Sequence, residues 1–131
     1  AGVDTSVTVP TGAVWKLVSY QIALVTVAAS TAAPRLIAET PTRVRKFIGR
    51  QSDAHSGAET QTHVWTRGYN YANSAAGGVF TDTEVVSVQD VIPDDVWLDE
   101  GDIIRTLTGG TFQATDNYGT PRIGVEEYLV P

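Results

Sequence analysis

Two stretches decide the fold of this chain: Thr5-Ser-Val-Thr-Val-Pro-Thr-Gly-Ala-Val-Trp-Lys-Leu17 and Asp90-Val-Ile-Pro-Asp-Asp-Val-Trp-Leu-Asp-Glu-Gly-Asp-Ile-Ile-Arg105. Each joins a run of β-favouring residues to a Pro, a short polar loop, a Trp and a second apolar run. Pro and Gly interrupt strands and form turns, whereas Val, Ile and Trp favour extended backbone. This pattern of strands separated by turns predicts an antiparallel β-sandwich. Neither stretch carries a catalytic motif.

The rest of the chain repeats the pattern of short β-rich runs between turn signals. The predicted strands span residues 3–9, 14–27, 35–38, 42–48, 60–66, 79–91, 103–107 and 123–130. About eight short strands without an amphipathic helix favour an all-β jelly roll, with an immunoglobulin-like sandwich as the alternative. A helix over residues 23–33 is less favoured, because Val, Ile and Thr are frequent there and Pro34 would end it.

The second predicted strand, residues 14–27, is apolar at both parities. Such a strand is typically buried on both faces, against a second sheet or a neighbouring subunit. At 131 residues the chain is predicted to form a single β-sandwich domain over residues 1–131. Within it, residues 1–9 are expected to form an N-terminal arm or an edge strand.

The composition and the net charge of the chain exclude or disfavour several kinds of site and partner. The chain has no Cys, so a disulfide framework and a thiolate metal site are excluded. Its formal charge of −6 repels nucleic acid and anionic membranes, which argues against either as a partner. The longest apolar stretch, residues 22–29, is too short to cross a bilayer.

The charges are unevenly distributed along the chain. Residues 35–50 hold five of the nine basic residues, and residues 82–102 hold eight of the fifteen acidic ones. Two interpretations remain open: two solvated faces, or two complementary patches that meet across a subunit boundary.

Residues that could carry catalysis or bind a metal are few. His55 and His63 lack the spacing of a zinc site and are expected to be surface or strand-filling residues. The acidic turn over residues 94–102 offers carboxylates for calcium or for a glycosidase pair, although solvated charge is the ordinary expectation for a turn. We therefore predict no enzyme activity, no catalytic residue, no metal ligand and no cofactor.

The aromatic residues suggest a carbohydrate-binding alternative, because sugars stack on aromatic rings. Trp15 and Trp97 are expected to begin strands and fill the core. The candidates for a sugar-binding surface are Trp65, Tyr69, Tyr71 and Tyr118.

The two quoted stretches resemble the small jelly-roll structural proteins of tailed bacteriophage particles, such as head decoration or cement proteins. The matching residues are Val7, Thr8, Val9, Pro10, Gly12, Trp15 and Leu17 in the first stretch, and Pro93, Trp97, Leu98, Gly101, Asp102, Ile104 and Arg105 in the second. The resemblance covers roughly the first 40 residues and residues 90–107, and more loosely residues 123–129.

This resemblance implies a non-enzymatic protein on the capsid surface of a virion, which binds the major capsid protein and is itself a homo-oligomer, most often a trimer. Exposure and charge place the expected contacts in residues 1–9, 43–50 and 68–78. The candidate partner-binding residues are Arg43, Arg45, Lys46, Arg50, Tyr69 and Tyr71. A carbohydrate- or receptor-binding module of a tail fibre or baseplate is the alternative function.

Overall fold

The computed structural model describes residues 2–49, 51, 54–67 and 84–131, and within them the chain is all-β, with ten strands and no helix. The strands are β1 (Ser6–Thr8), β2 (Ala13–Val25), β3 (Ala33–Glu39), β4 (Arg45–Ile48), β5 (Thr60–Arg67), β6 (Glu84–Ile92), β7 (Trp97–Leu98), β8 (Ile103–Gly109), β9 (Asn117–Tyr118) and β10 (Arg122–Leu129). The predicted all-β fold is confirmed. The predicted strand 42–48 is shorter in the structure, because residues 40–44 form a turn in which the Thr40 N–H donates a hydrogen bond to the Val44 carbonyl.

The strands form two sheets. The first has the order β1-β8-β3-β4, and the second has the order β10-β2-β5-β6, with β7 and β9 also paired to β2. The described pairings are antiparallel, except that β5 and β6 run parallel. A tight hairpin turn cannot join parallel neighbours, so β5 and β6 are not a hairpin pair. The sheets are consistent with the predicted β-sandwich, while jelly-roll connectivity stays a prediction.

The core lies between the two sheets. Leu17, Tyr20 and Trp65 of the second sheet are fully buried, as are Leu36 and Ile104 of the first, and all belong to one cluster of packed side chains. Burying side chains of this size stabilises a fold by about 1.5–3 kcal/mol each. A core of this kind explains how the sandwich is held together without disulfides.

A β-bulge explains why β2 is apolar at both parities. Ser19 pairs with Gly124 and Leu17 pairs with Val125, so Val18 is an extra residue on β2. A bulge reverses the face to which the following side chains point. Leu17 on one side of Val18 and Tyr20 on the other therefore both reach the core, although their parities differ. Within the single chain the second face of β2 stays partly open, since Gln21 and Val25 are exposed.

The two stretches that decide the fold bind each other. The Val9 N–H donates to the Asp102 carbonyl (2.9 Å), and the Gly101 N–H donates to the Val9 carbonyl (3.0 Å). The Gly12 N–H donates to the Glu100 carboxylate (2.8 Å), and the Leu17 N–H donates to the Val96 carbonyl (3.0 Å). The resulting unit fixes β7 against β2. The adjoining strand β1 lies at the edge of the first sheet, where it pairs with β8.

Candidate functional site

An exposed aromatic surface lies on the outer face of the second sheet, where β7 and β10 flank β2. Lys16 of β2 is the register partner of Trp97 on β7 and of Glu126 on β10. Side chains alternate between the faces of a strand. Leu98 enters the core, so its neighbour Trp97 points outward and remains 45% exposed.

Two aromatic rings meet at this surface. The ring centroids of Trp97 and Tyr128 are 5.6 Å apart with an interplanar angle of 44°. The ammonium of Lys16 lies 5.4 Å from the centroid of the Trp97 ring, within the range of a cation–π contact. Both rings nevertheless keep about half of their surface in solvent. Large, rigid aromatic side chains left open in this way are typical anchors of a binding surface.

Charged side chains surround the rings. Arg67 donates to the Glu126 carboxylate at 2.8 Å and lies 3.7 Å from Asp94. The hydrogen bond from Arg67 lowers the pKa of Glu126. The surface thus combines an apolar centre with a polar rim, as protein–protein interfaces do.

Two further apolar residues are exposed at the end of β10, where the strand forms the edge of the sheet. Within the described residues, β10 is hydrogen-bonded to β2 on one side and is the last strand of its sheet. Leu129 is 79% exposed, and Val130 next to it is also exposed. An apolar edge strand offers both side chains and backbone hydrogen-bonding groups to a partner. We call the set Lys16, Trp97, Tyr128, Leu129 and Val130 the aromatic edge.

Three of the four basic residues predicted to bind a partner form ion pairs within the chain. Arg43 and Arg45 approach the buried carboxylate of Glu39, and Lys46 binds Asp99 and Asp102. Arg43 still exposes 63% of its side chain. The other three predicted contacts, Arg50, Tyr69 and Tyr71, lie outside the described residues.

The ion pairs of Lys46 also bear on the two interpretations of the uneven charge. Lys46 belongs to the basic segment, whereas Asp99 and Asp102 belong to the acidic turn, so at this point the patches meet within one chain. Two of the carboxylates that the turn offered for calcium, Asp99 and Asp102, therefore already bind an ammonium group. No group of three or more potential metal ligands is found among the described side chains.

The structure corrects the roles predicted for the aromatic residues. Trp65 and Tyr118 are buried, so neither belongs to a sugar-binding surface. Trp97, predicted to fill the core, is instead exposed at the aromatic edge. Trp15 is half-buried and packs against the core. Trp97 and Leu98 are both apolar neighbours in a strand, so the sequence does not show which of the two side chains faces the core. The pairing of β7 with β2 determines that Leu98 faces inward.

The prediction for the histidines was also incomplete. His55 is neither a surface residue nor part of a strand: it is buried in a loop, and its ring stacks on that of His63. The two residues come from the loop before β5 and from β5 itself. Their contact depends on tertiary structure, and their spacing in the sequence carries no signal for it.

The described part of the chain contains no helix that is long and apolar enough to span a membrane. A scan against protein-family models, a search of curated proteins and a search of solved structures each found no match to this chain.

Proposed function

We propose that this protein is a non-enzymatic structural protein of a virus particle, a capsid decoration or cement protein that binds the major capsid protein and stabilises the shell. The observation that carries the proposal is the aromatic edge, an exposed apolar surface at the end of a sheet. The resemblance of residues 5–17 and 90–105 to phage decoration proteins supports it. Jelly-roll connectivity and a homotrimer are parts of the same proposal.

The composition of the aromatic edge supports a protein partner. Trp, Tyr and Arg are enriched at the centres of protein–protein interfaces, where burial of an aromatic anchor contributes more than about 2 kcal/mol. Trp97 and Tyr128 would be these anchors, with Arg67 and Glu126 at the rim. The edge strand β10 would add backbone hydrogen bonds to an extended segment of the partner.

The mechanism of stabilisation is mass action. A ligand that binds only the assembled shell lowers the free energy of that state, by about 2.7 kcal/mol per site when its concentration is one hundred times its Kd. A shell with many sites would gain this energy at each of them. The exposed Arg43, together with Arg50, Tyr69 and Tyr71, would extend the contact beyond the aromatic edge.

The proposal is tested by the melting of undecorated shells of the encoding phage, followed by differential scanning calorimetry. Addition of the wild-type protein is expected to raise the melting temperature of the shell. Leu129→Asp should abolish the rise, because it places a charge in the apolar contact. Val25→Asp is the matched control, since Val25 is an exposed apolar residue of β2 outside the aromatic edge. Absence of a rise with the wild-type protein contradicts the proposal.

A second candidate function is a carbohydrate- or receptor-binding module of a tail fibre or baseplate. The exposed pair of Trp97 and Tyr128 favours it, because a sugar ring can stack on such a platform. Binding to a glycan array that is lost in Trp97→Ala would support this function. An array without a hit would remove it and would leave the decoration proposal intact.

A further inference from the structure

Two buried imidazoles face each other beside the loop over residues 54–59. The Nε2 atoms of His55 and His63 are 2.9 Å apart, and their ring centroids are 5.1 Å apart. Both side chains are fully enclosed. A buried hydrogen bond between two imidazoles needs one proton between the two nitrogens, so the protonation state of this pair is restricted.

The surrounding hydrogen bonds fix where that proton lies. The Thr26 hydroxyl donates to the Gly57 carbonyl at 2.7 Å, and its oxygen lies 2.9 Å from Nδ1 of His55. Since the hydroxyl has a single hydrogen, His55 carries its proton on Nδ1 and donates to Thr26. Nε2 of neutral His55 must then accept the hydrogen bond from Nε2 of His63. In the described structure the remaining nitrogen, Nδ1 of His63, has no hydrogen-bond partner.

This arrangement has no room for two further protons. Protonation of both rings would place two N–H groups against each other at 2.9 Å, and would bury two positive charges. Among the described residues, the titratable groups that act on His55 are Glu59, whose carboxylate lies 3.6 Å from Nδ1, and Asp116 from the turn before β9. On the β6 side, the register partner of His63 is Ser87, which does not titrate.

The carboxylates favour uptake of the first proton at His55, but burial opposes any proton at His63. Desolvation lowers the pKa of His55, against the opposite effects of Glu59 and Asp116. Desolvation, together with the charge on His55, lowers the pKa of His63 to about 3. Burial opposes the charge on Asp116 as well, but hydrogen bonds from Ser30, Val27 and Gln113 outweigh it and lower the pKa of Asp116.

The pair lies where the loop is attached to the sandwich. The His55 N–H donates to the Ala32 carbonyl at 2.8 Å, and the Gly57 N–H donates to the Ser30 carbonyl at 3.1 Å. Thr26 connects the same loop to the end of β2. Release of the loop from the sandwich therefore breaks these hydrogen bonds together with the contact between His55 and Thr26.

We propose that the histidine pair is an acid-sensitive latch: it holds residues 54–59 against residues 26–32 while both imidazoles are neutral, and it releases them when the pair takes up protons. The released loop hydrates both rings, so that each can be charged. The latch is independent of what the aromatic edge binds.

The sign of the effect follows from proton linkage. A histidine whose pKa is lower in the closed state stabilises that state above its ordinary pKa of 6.5, and the stabilisation is lost as the pH falls from there towards the closed-state pKa of about 3. From His63 alone, the opening equilibrium of the loop should rise about 25-fold between pH 7 and pH 5. Carboxylates contribute little to the change between pH 7 and pH 5, because the ordinary pKa values of Asp and Glu lie below pH 5.

The test is hydrogen–deuterium exchange of the whole protein at pH 7 and pH 5, corrected for intrinsic exchange, with NMR titration of the imidazole nitrogens. We expect exchange in residues 54–59 to accelerate at pH 5 while exchange in β3 and β8 stays constant. His63→Leu should reduce the pH response. An unchanged opening equilibrium in the wild-type protein, or a His63 that titrates near pH 6.5 with the loop closed, would overturn the latch, and neither result depends on the variant.

Discussion

Lys46 and Asp102 form an ion pair in which the ammonium nitrogen lies 2.6 Å from a carboxylate oxygen. The same ammonium lies 2.9 Å from Asp99, and the Asp102 carboxylate also accepts the Asp99 N–H at 2.7 Å. These contacts tie β4 of the first sheet to the turn that precedes β8. The basic and acidic segments of the sequence thus serve partly to close the sandwich.

We expect Asp102→Ala to lower the free energy of unfolding by about 3 kcal/mol, because it removes one of the two carboxylates that bind a partly buried ammonium and leaves the Asp99 N–H without its side-chain acceptor. Urea denaturation at pH 7 measures the change. Asp95→Ala is the matched control in the same turn, since Asp95 is exposed, and it should change the stability by less than about 0.5 kcal/mol. Equal small losses in the two variants would contradict a structural role for the pair.

Glu39 should make the stability pH-dependent in the acid range. Its buried carboxylate is bound by Arg105 at 2.7 Å and by Arg43, and the hydrogen bond from Arg105 is the largest cause that lowers the pKa of Glu39. The stabilisation is therefore complete above the ordinary Glu pKa of about 4.3 and is lost as the pH falls through the lower folded-state pKa.

Glu39→Gln tests this effect. At pH 7 the variant is expected to lose about 2–4 kcal/mol of unfolding free energy, because guanidinium groups lose their counter-charge. The difference from the wild-type protein should shrink between pH 5 and pH 3, as measured by urea denaturation at each pH. A difference that is constant over this range would show that the charge of Glu39 is not the cause.

Gly110 and Gly12 provide a matched pair of left-handed turn residues, with φ of 71° and 80°. A Cβ atom at Gly110 would collide with the Thr31 carbonyl oxygen, whereas at Gly12 the nearest atom is 3.9 Å away. Gly12→Ala should lower the free energy of unfolding by about 1 kcal/mol, because only the backbone conformation is unfavourable. Gly110→Ala should lower it by about 3 kcal/mol, because the collision with Thr31 is added. Thermal unfolding of the two variants measures both losses of stability. Equal losses would contradict the prediction and would mean that the turn at Gly110 can shift away from Thr31.

The bulge in β2 can be tested by a double-mutant cycle. A Cβ atom at Gly124 would collide with the Ser19 hydroxyl, but would lie 3.6 Å from its Cβ. Gly124→Ala should therefore destabilise the protein by about 1–3 kcal/mol, and adding Ser19→Ala should restore part of the loss. Additive effects in denaturant unfolding would contradict the close approach of these two residues.

The sequence predicts the strands well because alternation and turn residues are local signals. The last strand shows how closely a strand can be placed: it is predicted over residues 123–130 and observed over Arg122–Leu129. The parallel pairing of β5 with β6 and the extra residue Val18 in β2 depend on distant partners, and no local pattern specifies them.

The candidate site was less predictable for the same reason. Trp97 belongs to a two-residue strand, in which a shift by one residue exchanges the buried and exposed faces. The contact of His55 with His63 requires the loop to fold back over β5. Arg43 and Lys46 were recognised as charged surface residues, but their partners Glu39 and Asp102 are set by the arrangement of the first sheet.

The central claim, that the aromatic edge binds an assembled shell, is tested most directly by hydrogen–deuterium exchange of the protein free and bound to undecorated shells. We expect the protein to sediment with the shells and the amides of β7 and β10 to become protected, with β3 unchanged. Sedimentation with protection confined to other strands, or no sedimentation at all, would contradict the claim.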